Sequence, residues 1–431
     1  MFLSNFILLS KCVISAAAML VAGNTLANTC VSTAALAGQE KLCTKDLAIA
    51  LPHTNEKLPF AKQSLASGKS LLPIEWYREL HRAYQQTSVG SSLMEESLYS
   101  DWQLVSMRVA PCAPLGKSPG HRIDEVCWPE LRLVWQPILR KIILHARYME
   151  ASADDRAIHA IYPLAPEQFL PQAEAQRART YLNKISQYLQ GQAVAPKYYQ
   201  PLSAQELQDF QSLRNSLLAS FIADARRLRT RSVEANDQNY ERHGLRPEFF
   251  ASQTEISVFF KNLMTFLERY AQPEDLVQLT SFSLPEGREP AHLDQWVFLS
   301  FLQINGEFRQ EKIPLHSFVD GKLIVAEQRH QRGTTSRDDD FFYEINFDTD
   351  DWAILQQSLI LNIPDQSRLA STIADRRQRL VANTSCVSCH KLNDLRFDFH
   401  NFSYLEDREI TISPRVVRDV ELDLLWLEQK L

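Results

Sequence analysis

Trp102-Gln103-Leu104-Val105-Ser106-Met107-Arg108-Val109 is the stretch whose reading decides the fold class. It is short, rich in apolar and β-branched residues, and closed by Pro111, Pro114, Gly116, Pro119 and Gly120, which are turn formers. That combination predicts a strand. Two further strand candidates follow, Leu131 to Pro137 and Ala157 to Tyr162. The period then changes. Ser203-Ala204-Gln205-Glu206 is a capping box, in which the serine and glutamate each satisfy the other's backbone N–H. Leu207, Phe210, Leu213, Leu217, Leu218, Phe221, Ile222, Ala225 and Leu228 then recur at helical spacing. Arg226, Arg227, Arg229 and Arg231 cluster at the end of this run, where cations complement the helix dipole.

Working outward from this core pattern, residues 28–72 show little periodicity and predict an irregular segment, and residues 73–90 predict a short helix. A helix is expected from Thr254 to Tyr270, and strands at Val277–Leu284, Trp296–Ile304, Lys322–Gln328 and Phe341–Phe347. Helices over 351–361 and 366–382, the first capped by Asp348 or Asp350, complete the body. Runs of strands followed by runs of helices indicate an α+β fold with antiparallel strands, not a doubly wound parallel sheet. The order occurs twice, so two similar halves are one expectation. The expected organisation is a signal peptide at 1–27, an α+β region at 28–200, a helical block at 201–272, a second α+β region at 273–382 and a short C-terminal segment at 383–431.

Composition narrows the function classes. The chain of 431 residues is 45% hydrophobic and 23% charged, which is ordinary for a globular protein. A formal charge of −6 argues against nucleic acid as the main partner. With only 12 glycines, phosphate-cradling loops are scarce, and neither a dinucleotide fingerprint nor a P-loop occurs. Gly116-Lys117-Ser118-Pro119-Gly120 matches the nucleophile-elbow pattern. However, Pro119 lacks the N–H that an oxyanion hole needs after the serine, so the segment is expected to be a turn.

Residues 1–27 contain no acid and one lysine, Lys11, ahead of an apolar run from Cys12 to Gly23. This predicts an export signal cut after Ala27 or after Gly23. The run is shorter than the ~20 residues of a spanning helix, so no stable membrane span is expected after cleavage. Export implies a periplasmic or secreted location, where disulfides persist. Cys30, Cys43, Cys112 and Cys127 are then expected to pair by proximity as Cys30–Cys43 and Cys112–Cys127, although four cysteines allow three pairings. Each loop of about 15 residues would stabilise by about 3 kcal/mol in the chain-entropy account.

The remaining pair stands in Cys386-Val387-Ser388-Cys389-His390, the only C-x-x-C-H run in the chain. Two thiols three positions apart can form thioethers with both vinyl groups of one haem, and the adjacent imidazole can ligate its iron. On these five residues the chain resembles the c-type cytochromes. The resemblance implies one covalent haem c held by Cys386 and Cys389, with His390 as proximal ligand. It also implies electron transfer with a redox partner protein.

Small c-type domains place a methionine some tens of residues after the motif, whereas here the last methionine is Met264. His400 is therefore the nearest candidate for the second axial ligand, and His292, His316, His330 and Met264 are more remote ones. Phe397, Phe399, Phe402, Tyr404 and Trp426 are candidates for an apolar haem wall. Arg396, Arg415 and Arg418 are candidate partners for its propionates. Alternative readings are a haem enzyme or gas sensor with an open distal site, and an exported binding or structural protein without haem.

Overall fold

A computed structural model describes residues 30–33, 36, 41–51, 65, 67–85, 96–115, 125–143, 148–153, 156–190, 201–230, 246–250, 252–283, 295–304, 307–310, 313–319, 322–328, 331–334, 402–403, 411–412 and 414–431. In chain order, β1 (Cys30–Val31), β2 (Leu42–Cys43), α1 (Thr44–Leu47), β3 (Ala48–Ala50) and α2 (Ile74–Gln85) lead into four strands. These are β4 (Trp102–Pro114), β5 (Cys127–Ile143), β6 (Tyr148–Ala153) and β7 (Ala157–Pro163). The helices α3 (Pro166–Phe169), α4 (Gln172–Gln190), α5 (Ala204–Arg227) and α6 (Gln253–Tyr270) follow. Next come β8 (Gln278–Ser283), β9 (Gln295–Ile304), β10 (Glu307–Gln310), β11 (Ile313–Val319), β12 (Lys322–Gln328) and β13 (Gln331–Thr334). The small strands β14 (Phe402–Ser403) and β15 (Thr411–Ile412) precede the last helix, α7 (Pro414–Lys430).

The fold is α+β, and its centre is one antiparallel sheet of nine strands in the order β10-β9-β8-β7-β5-β4-β3, with β13 added to β9 and β6 to β5. The two strand runs therefore share one sheet. Ala157–Ile161 of β7 pairs with Gln278–Phe282 of β8, and the helical block α3–α6 is inserted between these neighbours. The block stays on the sheet because α5 presents Phe210, Leu213, Leu217, Leu218, Phe221, Ile222 and Ala225 as one buried stripe. This stripe packs on β4 and β5, with Trp128 and Phe210 rings 5.4 Å apart. On its far side Phe221 meets Phe266 and Tyr270 of α6 at 5.8 and 4.8 Å. Both helices begin at capping boxes, Ser203 with Glu206 and Ser252 with Glu255.

Three elements depart from the sequence expectation. The segment 28–72 is not simply irregular: Ala48, Ile49 and Ala50 pair with Arg108, Met107 and Ser106 of β4. Leu47 to Leu51 are fully buried, so this strand reads as an unbroken apolar run with no alternation to announce it. Strands β4 and β5 extend beyond their expected ends because the bond from Cys112 to Cys127 lies inside their ladder, beside a register shift between Ala110 and Ala113. Among the described side chains of helix α4, Ala175, Ala178 and Ile185 are the buried apolar ones. It is held through Tyr181 to Asp209, Arg179 to Glu167 and Lys184 to Glu206.

The last helix is held differently. Val416, Val420, Leu424 and Leu427 of α7 face the core, and its acids reach under the sheet. Arg108 of β4 donates from Nη2 to Asp423 Oδ2 at 2.8 Å and from Nη1 to Asp419 Oδ2 at 3.5 Å. Arg132, the register partner of Arg108 on β5, donates to Glu130 at 2.5 Å. Removing one member of such a buried set strands the opposite charge, which costs about 3–5 kcal/mol. Asp423→Ala is therefore expected to lower the urea-unfolding free energy by about 3 kcal/mol. Opening the inner disulfide with Cys112→Ser/Cys127→Ser is expected to lower it by a similar ~3 kcal/mol, measured on the same protein preparation.

Candidate functional site

Cys386, Cys389, His390 and His400 lie outside the described residues, as do Phe397, Phe399, Tyr404, His292 and His330. Their flanks are described. On one side β13 pairs Gln331–Thr334 with Gln295–Phe298 of β9. On the other, two residues past His400, Phe402 and Ser403 pair with Ile412 and Thr411, and α7 follows directly. The chain that carries the motif thus leaves from one edge region of the sheet and is gripped again by a helix packed near β3 and β4 at the opposite end.

The cysteine chemistry fits the motif's expected use. The structure pairs Cys30 with Cys43 and Cys112 with Cys127, as proximity suggested. Of the seven cysteines these bonds engage four. They leave Cys386 and Cys389 with no candidate partner but each other and Cys12 of the expected signal. Two soft thiols and a neighbouring imidazole form a donor set suited to a covalently attached haem. Among the described residues no group of three or more His, Cys, Asp or Glu side chains is arranged to hold a metal ion.

Two of the residues expected around the haem are described. Trp426 is buried in the main core, with the Arg214 guanidinium 4.8 Å from its ring centre. Arg214 itself donates to Cys127 Sγ at 3.1 Å and to Asn215, so α7, α5 and the inner disulfide meet at one point. Arg418 pairs with Glu421 at 2.9 Å on its own helix. Met264 is partly buried against the core. The nucleophile-elbow match at 116–120 is outside the described residues.

Sequence reasoning missed a second buried charge cluster that closes the N-terminal region. Asp46 accepts from the Cys43 N–H at 2.8 Å and from Arg229 Nε at 3.0 Å. So Arg229, read as a dipole-complementing cation, is in addition a buried partner of a helix-capping acid. Beside it, Arg246 donates to both oxygens of Glu248 at 3.1 and 2.9 Å and to the Lys45 carbonyl at 3.3 Å. Glu248 also accepts the Thr230 N–H at 3.0 Å, and Phe259 lies under the guanidinium at 5.0 Å. The available signal was the Arg246/Glu248 spacing next to Phe249 and Phe250. Opposite charges two apart usually mark an exposed loop, so only burial distinguishes them.

Burial pushes the Glu248 carboxyl up, but the Arg246 charge and hydrogen bonds, with the backbone donors, bring it below the usual carboxylate range. A second feature is an open cleft of about 560 Å³ between the start of α2 and the Pro273–Asp275 turn. Among the described residues, no helix is long and apolar enough to cross a membrane. Comparison of the chain with protein-family models, curated proteins and solved structures finds no match.

A carboxyl with a depressed folded pKa stabilises the protein above its unfolded pKa of about 4.3, and that stability is lost as pH falls through the folded value. Glu248→Gln is expected to cost about 2 kcal/mol at pH 7. The gap between the two proteins should narrow as pH falls below about 4, as read from chemical denaturation at each pH.

Proposed function

We propose that this chain is an exported monohaem c-type protein that passes single electrons to a partner protein. The observation that carries the reading is Cys386-Val387-Ser388-Cys389-His390 in a chain whose other paired cysteines bond to each other. Two disulfides support life in an oxidising compartment, the compartment in which covalent haem attachment takes place in bacteria. Cys386 and Cys389 would hold the porphyrin as thioethers, and His390 would hold its iron from the proximal side. His400 would take the distal side. When bound, haem supplies a one-electron couple whose potential depends on axial ligation, burial and local hydrogen bonding.

The body has a supporting role in this reading. Strand β13 ends at Thr334 and β14 begins at Phe402, so the haem-bearing segment would lie between two elements of the body. The partner would be a redox protein met at the surface of the haem-bearing segment. A second reading is favoured by one observation: no methionine follows Met264. If His400 also leaves the iron free, the distal side is open, which suits a haem enzyme or a gas sensor.

Expression with a c-type maturation system is expected to yield haem that resists acid–acetone extraction. It should show sharp α and β bands on reduction. Cys386→Ala/Cys389→Ala should abolish the retained haem, and His400→Ala should convert a low-spin spectrum to a high-spin one. A wild-type spectrum that is already high-spin would move the reading to catalysis or gas binding. No retained haem in the wild type would sink both and leave an exported protein with a third disulfide in its C-x-x-C.

A further inference from the structure

The open cleft beside α2 has a composition that the electron-transfer reading does not use. Lys69, Glu75, Trp76, Tyr99, Pro273 and Glu274 are among its lining residues, drawn from three stretches distant in sequence. Its aromatic residues are held in place. Phe308 stands 5.1 Å from the Trp76 ring, and Tyr77 stands 5.3 Å from the Tyr99 ring. The cleft's volume of about 560 Å³ falls within the usual ~300–1,000 Å³ of small-molecule sites.

The charges decide what such a cleft can hold. Lys69 pairs with Glu274, so those two offset each other. Glu75 is exposed and has neither a hydrogen bond nor an ion pair among the described residues. The cleft therefore carries one uncompensated negative charge beside two aromatic residues. An anion is disfavoured there: the Trp76 and Tyr77 N–H groups at the start of α2 donate to the Pro73 carbonyl at 3.1 and 3.3 Å, and Glu75 stands in the same turn. A hard metal ion is disfavoured as well, because it takes about six oxygens and the cleft offers a single unpaired carboxylate. A fully alkylated ammonium asks for no hydrogen-bond acceptor. The cleft's two hydroxyls, Tyr99 Oη and Ser70 Oγ, are directed to the Leu72 carbonyl at 2.5 and 2.9 Å.

We infer that this cleft binds a small quaternary ammonium compound, its head against Trp76 and Tyr99 and its charge met by Glu75. Aromatic rings attract a cation through their quadrupole, and quaternary ammonium ligands are a well-attested use of that attraction. The site is independent of haem: it lies on the described body, and its test needs no spectrum of the C-terminal segment.

Choline and 3,3-dimethylbutan-1-ol separate charge from shape, because a carbon replaces the charged nitrogen in the second. With the full-length protein at low salt, calorimetric titration should show saturable one-to-one choline binding with a Kd on the order of 1 mM, given its few atoms. The neutral alcohol should bind about tenfold more weakly, since it loses both the ring attraction and the carboxylate. Glu75→Gln should weaken choline about threefold and leave the alcohol unchanged. Glu79→Gln, one turn further along α2 and paired with Arg82, should bind choline as the wild type does. Both positions are on the surface of α2, and circular dichroism checks that the variants fold. The comparison of the two ligands on the wild type stands even if a variant does not. Absence of saturable choline binding, equal affinity for choline and the alcohol, or a choline Kd unmoved by Glu75→Gln would each overturn the inference.

Discussion

The contact on which the rest depends is the 2.8 Å bond between Arg108 and Asp423, which joins β4 to α7 across 315 positions of sequence. Arg108 sits on a strand surrounded by apolar neighbours, and a guanidinium cannot shed its charge as a carboxyl or amine can. Burying it requires carboxylates brought by another element, and Asp419 and Asp423 of α7 bring them there. The apolar stripe Val416, Val420, Leu424 and Leu427 gives α7 its affinity for the body. The ion pair gives it its register, since a helix rotated by one residue would leave Arg108 buried and unmatched.

The same logic recurs at the N-terminal end. Chain 41–51 consists of three very short elements, β2, α1 and β3, so cross-links hold it instead of a long ladder. The Cys30–Cys43 bond, the Asp46–Arg229 pair and the Arg246–Glu248 pair tie it to the end of α5 and to the turn before α6. Buried pairs of this kind contribute little net stability compared with apolar packing, because desolvation offsets much of the attraction. Their effect is selective: every misdocked arrangement exposes or strands a charge. That suits a chain whose sheet is completed by β3, a three-residue strand with only small and apolar side chains.

The end of the chain is held to the body by α7, which packs against β3 and β4. The haem proposed for residues 386–390 would lie between β13, which ends at Thr334, and β14, which begins at Phe402.

Much of the fold was legible from residues alone where a local pattern carries its own cause. The capping box at Ser203, the apolar stripe of α5, the strands β4, β7, β8 and β9, and both disulfides follow from spacing, period and proximity. The C-x-x-C-H motif is likewise a property of five consecutive residues, and the haem reading rests on them. What sequence could not show was anything that depends on which residues meet. Trp426 looked like a haem-pocket aromatic and is a core residue, because a stripe of four apolar positions on α7 turns it toward Arg214. Arg229 looked like a helix-end cation and is a buried ion-pair partner as well. The joining of two strand runs into one sheet, and the convergence of Trp76, Tyr99 and Gln303 around one cleft, are long-range placements. Local period sets an element and its apolar face. Which face meets which is decided only when the whole chain has found partners for its buried charges.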